Sequence, residues 1–73
     1  MKNKVLEILE SYLKMDRTEL IENIDNKEVW DSLVRVEIIF AIEEEFGIVF
    51  EAEELAELVT PQLLTDAVIR KAG

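Results

Sequence analysis

The chain has 73 residues, a net charge of −9 and neither cysteine nor histidine. A chain of this length forms one small domain and buries only about 60% of the surface that its unfolded form exposes, which leaves no room for a deep catalytic cleft. Disulfides, thiolate metal sites and a Ser-His-Asp nucleophile are excluded by the missing residue types. Any covalent chemistry must therefore come from another protein or from an attached group.

The acidic residues are concentrated in the second half of the sequence. From Val36 to Ile69 the chain has nine acidic residues and no basic one. This distribution argues against nucleic-acid binding, which depends on Lys and Arg neutralising phosphates, and against an anionic membrane surface. It favours a partner protein with a basic patch.

Nothing in the sequence predicts a targeting or membrane-spanning segment. The longest apolar run, residues 38–42, is far shorter than the roughly 20 residues that span a bilayer. Glu7 and Glu10 interrupt the apolar pattern of the N-terminal segment, which a signal peptide would not tolerate. We therefore expect a cytoplasmic protein without membrane insertion, and a monomer.

The first predicted helix spans about residues 2–15, because apolar residues recur at i, i+3, i+4 and i+7 from Val5 to Tyr12. Residues 16–30 lose this period. They predict a long loop, interrupted at most by one helical turn over residues 18–24.

The second predicted helix begins at Asp31 or Ser32 and ends at Phe46, where Gly47 supplies the usual C-terminal stop. A short third helix follows over about residues 52–58.

The last predicted helix starts at Thr60-Pro61, with Thr as the N-cap and Pro at the first helical position, and continues to about Ala72. Residues 47–52 are the only β-like piece and are too short to form a sheet. The predicted fold is an all-α four-helix bundle with a long first loop and a short third helix. Its predicted core consists of Leu9, Tyr12, Val34, Ile38, Ile42, Phe46, Leu55, Leu63 and Val68.

The second helix has more apolar residues than a core face requires. At 100° per residue, one arc of the helix is sufficient for the core, while the opposite arc combines apolar and acidic side chains. A solvated face rarely needs Leu33 and Phe40 among its acids, whereas a docking face does. Coverage of part of this arc by another helix is the simpler alternative. The arc contains Ser32, Leu33, Val36, Glu37, Phe40, Glu43 and Glu44.

Asp31 and Ser32 have an ordinary explanation as helix caps, because both residue types are preferred at N-caps. The wider segment "WDSLVRVEIIFAIEEEFGI", residues 30–48, nevertheless resembles the attachment site of acyl carrier proteins and of related peptidyl and D-alanyl carriers. The shared features are Asp-Ser-Leu, a Val-Glu pair three and four residues after Leu33, and an apolar stretch that ends in "EEEF". Downstream, "TPQLLTDAV" resembles the start of the family's last helix, and the likeness extends over roughly residues 5–70.

The resemblance implies a non-catalytic carrier with an acyl-carrier-protein-like fold. In that family a serine hydroxyl carries 4′-phosphopantetheine, which a Mg²⁺-dependent phosphopantetheinyl transferase transfers from coenzyme A. The thiol of the arm holds an acyl or aminoacyl group as a thioester, so a carrier needs no cysteine of its own. By position, Ser32 is the attachment residue and Asp31 the neighbouring motif acid. The positions that meet partner enzymes are Leu33, Glu37, Phe40, Glu43 and Glu44.

The sequence departs from the fatty-acid carrier pattern at three positions. Val34 and Arg35 stand where an acidic and a small polar residue are usual, and Trp30 stands where a small residue is common. The predicted partner surface also includes Arg35, as the distinctive residue, and Val36, which lies on the arc described above. The departures favour a specialised pathway, such as polyketide, nonribosomal peptide or surface-polysaccharide assembly.

The expected partners are the transferase, an acyl- or aminoacyl-loading ligase, and synthases or transferases with basic patches. An acidic helical interaction module that never receives a cofactor is the main alternative. A calcium sensor is suggested only by the acid content, because the sequence contains no D-x-D-x-D-G loop.

Overall fold

The computed structural model describes residues 1–73, which form helices and no strand. The prediction of an all-α bundle is confirmed. One turn of 3₁₀-helix, Lys27–Val29, leads into the longest helix. No helix combines the length and the apolar character needed to cross a membrane. Numbered in chain order, the helices are α1 Lys2–Leu13, α2 Arg17–Glu22, α3 Ser32–Phe46, α4 Ala52–Glu57 and α5 Pro61–Ala72.

Two element boundaries near the N-terminus differ from the prediction. The helix α1 ends at Leu13 instead of residue 15, because Lys14 adopts the left-handed conformation (φ 58°) and its N–H donates to the Glu10 carbonyl. The loop that follows contains a complete helix, α2. Asp16 caps it by accepting the Glu19 N–H at 2.8 Å, and Leu20 is its one buried residue. A short helix with a single buried side chain has no repeating apolar positions, so the sequence shows no helical period there.

The ends of α3 and α5 follow the sequence signals. Gly47 takes the left-handed conformation (φ 65°) after α3, and its N–H donates to the Glu43 carbonyl. Thr60 caps α5, with its hydroxyl accepting the Leu63 N–H at 3.2 Å, and Pro61 occupies the first turn. The C-terminal end of α3 and the N-terminal end of α5 therefore lie where the capping residues predict.

The core lies between α1, α3 and α5, and α1 contacts both of the others. The prediction was wrong for Tyr12 and Leu63, each of which is 44% exposed. The buried stripe of α1 is centred near Leu9, which leaves Tyr12 at its edge, and Leu64 takes the inward position on α5. Val34, Phe46 and Leu55 are partly buried against the core. The buried hydrophobic residues are Val5, Leu6, Leu9, Leu20, Trp30, Ile38, Ile39, Ile42, Phe50, Leu58, Leu64, Ala67 and Val68.

Candidate functional site

The start of α3 separates the roles of two neighbouring residues. Asp31 is the N-cap: its backbone is extended, and its Oδ1 accepts the Val34 N–H at 2.8 Å. Ser32 is therefore the first helical residue, and it is exposed. Its hydroxyl makes no hydrogen bond within the protein, because the capping interaction is already made by the aspartate. The side chain that could react is thus not required to hold the helix.

The segment before Ser32 is anchored to a part of the chain that is distant in sequence. Asn26 caps the 3₁₀ turn by accepting the Glu28 N–H at 2.9 Å. Trp30 is buried, and its indole Nε1 donates to the Val59 carbonyl at 3.2 Å. In the sequence, Trp30 was notable only because carriers of the family that it resembles commonly have a small residue at this position. The structure shows that it ties the approach to α3 to the connection between α4 and α5.

An open depression of about 240 Å³ adjoins Ser32. Two of its lining side chains are basic, in a chain with a net charge of −9. The first N–H groups of α3 have no acceptor within the helix, and the helix dipole favours an anion at this end. A phosphoester on the Ser32 hydroxyl fits this environment. The lining residues are Lys27, Trp30, Asp31, Ser32, Arg35 and Val59.

The outer face of α3 is apolar and acidic, as the helical period predicts. Leu33 is 69% exposed and Phe40 63% exposed, and Val36 lies on the same face with a smaller exposed fraction. Glu37 and Glu44 are also exposed. Large apolar side chains kept in solvent beside acids are typical of a surface that a partner covers. We refer to these five residues, with Ser32, as the outer face of α3.

Two residues of the predicted partner surface make internal contacts. Arg35 is half-buried, and its Nη1 donates to the carbonyls of Leu55 and Leu58, each at 3.0 Å. Glu43 is half-buried as well, and its Oε2 accepts the Phe50 N–H at 2.8 Å. Both side chains therefore bind the segment that contains α4. Sequence reasoning missed these contacts, because neither partner is a neighbour on α3.

The other end of α4 is also held by polar groups. Glu51 and Glu54 form a capping box, in which the Glu54 carboxylate accepts the Glu51 N–H at 2.7 Å. Lys71 of α5 forms an ion pair with Glu54 at 3.1 Å. The Glu51 N–H first, and Lys71 second, hold the pKa of Glu54 below its ordinary value of 4.5. Glu54 of α4 thus has structural partners despite the local excess of negative charge.

The acidic side chains form no cluster suited to a metal ion. A small helical bundle with a free serine at the start of its longest helix, beside an apolar and acidic face, has the features of a carrier domain. The family described as "Phosphopantetheine attachment site" matches residues 3–68, which is nearly the whole chain. The chain therefore belongs to this family, and the resemblance to acyl carrier proteins is confirmed.

Proteins of this family carry covalently attached 4′-phosphopantetheine. They are generally non-catalytic carriers, and they interact with modifying and biosynthetic enzymes. Searches of curated proteins and of solved structures found no match to the chain.

Proposed function

We propose that this protein is an acyl carrier whose Ser32 hydroxyl receives 4′-phosphopantetheine from coenzyme A. The observation that carries the proposal is the state of this hydroxyl, which is exposed and free of hydrogen bonds because Asp31 caps the helix. Attachment forms a bond between the Ser32 oxygen and phosphorus, breaks the bond to the adenosine bisphosphate, and releases the serine proton. When bound, the arm supplies the thiol that holds an acyl or aminoacyl group as a thioester.

The chain itself contributes position and recognition. The helix start orients the Ser32 oxygen away from the core, and Asp31 keeps the first turn formed before and after modification. The outer face of α3 then serves as the docking surface for the phosphopantetheinyl transferase, the loading ligase and the acyl-transfer enzymes. Apolar anchors such as Leu33 and Phe40 supply binding energy, and Glu37 and Glu44 attract a basic patch.

A dedicated pathway, such as polyketide, nonribosomal peptide or surface-polysaccharide assembly, is part of this proposal. Its support is that Trp30 and Arg35 depart from the fatty-acid carrier pattern and make contacts within the fold. A residue without a structural role at either position would have its side chain in solvent. The loading enzyme selects the cargo.

The test is the intact mass of the protein after incubation with coenzyme A, Mg²⁺ and a phosphopantetheinyl transferase of broad specificity. We expect the wild type to gain one phosphopantetheine and Ser32→Ala to gain none. Ser11→Ala is the matched control, because Ser11 is exposed on α1 without the Asp-Leu frame, and it should be modified like the wild type. Modification that survives in Ser32→Ala would contradict the assignment. A wild type that stays unmodified would favour the non-covalent interaction module.

A further inference from the structure

Arg35 connects α3 to the C-terminal end of α4. The carbonyls of the last turn of a helix lack partners within the helix and carry partial negative charge. The Arg35 guanidinium donates to two carbonyls at this end, those of Leu55 and Leu58, with one nitrogen at 3.0 Å from each. The Leu55 carbonyl also accepts the Leu58 N–H at 3.2 Å. Bonds from an ionised donor are stronger than neutral ones, and the planar guanidinium suits two acceptors at once. Arg35 therefore closes this end of the line of contact between α3 and α4, which we call the seam.

The remainder of the seam depends on few other contacts. No residue of α4 is fully buried, and Leu55 is its partly buried contact with the core. At the far end, Glu43 accepts the Phe50 N–H, eight residues along α3 from Arg35 and so about 12 Å away. The seam is thus closed by one charged side chain at each end, and Arg35 is the one next to Ser32.

The position of Arg35 matters for any group tethered to Ser32, because both residues line the same depression. An alkyl chain gains free energy in proportion to the apolar surface that leaves water. To reach the core between α3 and α4 from this side, it would have to separate the guanidinium from its two carbonyls. The guanidinium and the Leu58 carbonyl would then face hydrocarbon without these hydrogen bonds, which opposes entry. A small or polar cargo meets no such conflict, because it gains little from leaving water.

We propose that Arg35 is a specificity-determining residue of the carrier. By closing the seam beside Ser32, it disfavours the burial of long alkyl cargo and favours small or polar acyl and aminoacyl groups that remain in solvent. The inference rests on the proposed attachment at Ser32. It replaces the expectation that Arg35 acts mainly as a charge presented to partner enzymes.

The test compares one short and one long cargo on the full-length protein. Wild type, Arg35→Met and Arg35→Lys are loaded with acetyl- or octanoyl-phosphopantetheine from the matching coenzyme A thioester, and loading is verified by intact mass. Hydroxylamine then attacks the thioester carbonyl, breaks the carbon–sulfur bond and releases the thiol, so the cleavage rate reports how well the cargo is sheltered. The same thioesters on free pantetheine correct for their intrinsic reactivity.

After this correction, we expect acetyl and octanoyl wild type to be cleaved at equal rates. In Arg35→Met, the octanoyl form should be cleaved several-fold more slowly than the acetyl form, and octanoyl should alter hydrogen exchange in residues 50–58. Arg35→Lys should stay near the wild type, because a lysine still supplies a charged donor. Arg70→Met is the matched control, since Arg70 is an exposed arginine on α5, and it should behave like the wild type.

The proposal would be overturned if the octanoyl thioester were sheltered as strongly in the wild type as in Arg35→Met. It would also be overturned if the octanoyl thioester were sheltered in neither protein. Should Arg35→Met fail to fold, Arg35→Gln replaces it, because its amide is polar but shorter and uncharged, and it should shelter octanoyl more than the wild type does. A wild type that accepts no phosphopantetheine at all is detected at the loading step. That result would refute the proposed function, and with it the role of Arg35, whereas a failure in the cargo comparison refutes the role of Arg35 alone.

Discussion

Replacing Asp31 by alanine removes the cap of α3 and leaves Ser32 in place. The lost interaction is the 2.8 Å bond from the Val34 N–H, and removal of an N-cap side chain costs about 0.5–2 kcal/mol. The negative charge of Asp31 at the helix N-terminus adds about 0.3–1 kcal/mol. We therefore expect the free energy of unfolding to fall by about 1–3 kcal/mol. For a domain of this size, each kcal/mol lowers Tm by about 4–8 °C.

The measurement is urea unfolding at neutral pH, followed by far-ultraviolet circular dichroism. Asp31→Asn should lose less than Asp31→Ala, because asparagine caps as well as aspartate and only the charge is gone. Ser32→Ala should leave the free energy of unfolding almost unchanged, since the hydroxyl makes no hydrogen bond. If Ser32→Ala were as destabilising as Asp31→Ala, Ser32 would share the capping role. The separation of the two residues' functions would then be wrong.

Three further predictions concern the core, the acid response and docking. Ile42→Val should lower the free energy of unfolding by about 0.5–1.5 kcal/mol in the same assay, because Ile42 is fully buried. Because the pKa of Glu54 is lowered in the fold, its carboxylate stabilises the fold above the unfolded pKa, and this stabilisation is lost as pH falls through the folded pKa. Glu54→Gln should remove this part of the pH dependence of the free energy of unfolding, measured in a pH series. Glu37→Lys should slow modification by the transferase mainly at low salt, whereas Phe40→Ala should slow it at every salt concentration.

Much of the helix pattern could be predicted because its signals are local. The period of α3, the glycine after it and the Thr-Pro start of α5 each depend on residues that are close in sequence. The helix α2 gave a weaker signal, since Leu20 is its single buried residue and Asp16 supplies the cap. Tyr12 was misplaced because the apolar stripe of α1 is wider than the surface it buries.

The site was predictable only in part, for the same physical reason. The motif around Ser32 indicates the proposed attachment residue, and the helical period indicates which side chains of α3 face outward. The contacts of Arg35 and Glu43 cross to a segment up to 23 residues away in sequence, so no local pattern encodes them. The choice between Asp31 and Ser32 as the cap also depends on the three-dimensional structure, since both residue types cap helices well.

The division of roles between Asp31 and Ser32 has a consequence for the modified protein. If the serine hydroxyl were the cap, attachment of a phosphoester would remove a stabilising bond at the moment when the carrier becomes functional. With Asp31 as the cap, the first turn of α3 retains its bond, and the new anion meets the positive end of the helix dipole. The nearby Asp31 carboxylate repels that anion, but Lys27 and Arg35 line the same depression and offset part of the repulsion. The loaded and unloaded states should therefore share one backbone structure at the attachment site, which allows different partner enzymes to recognise the same face of α3.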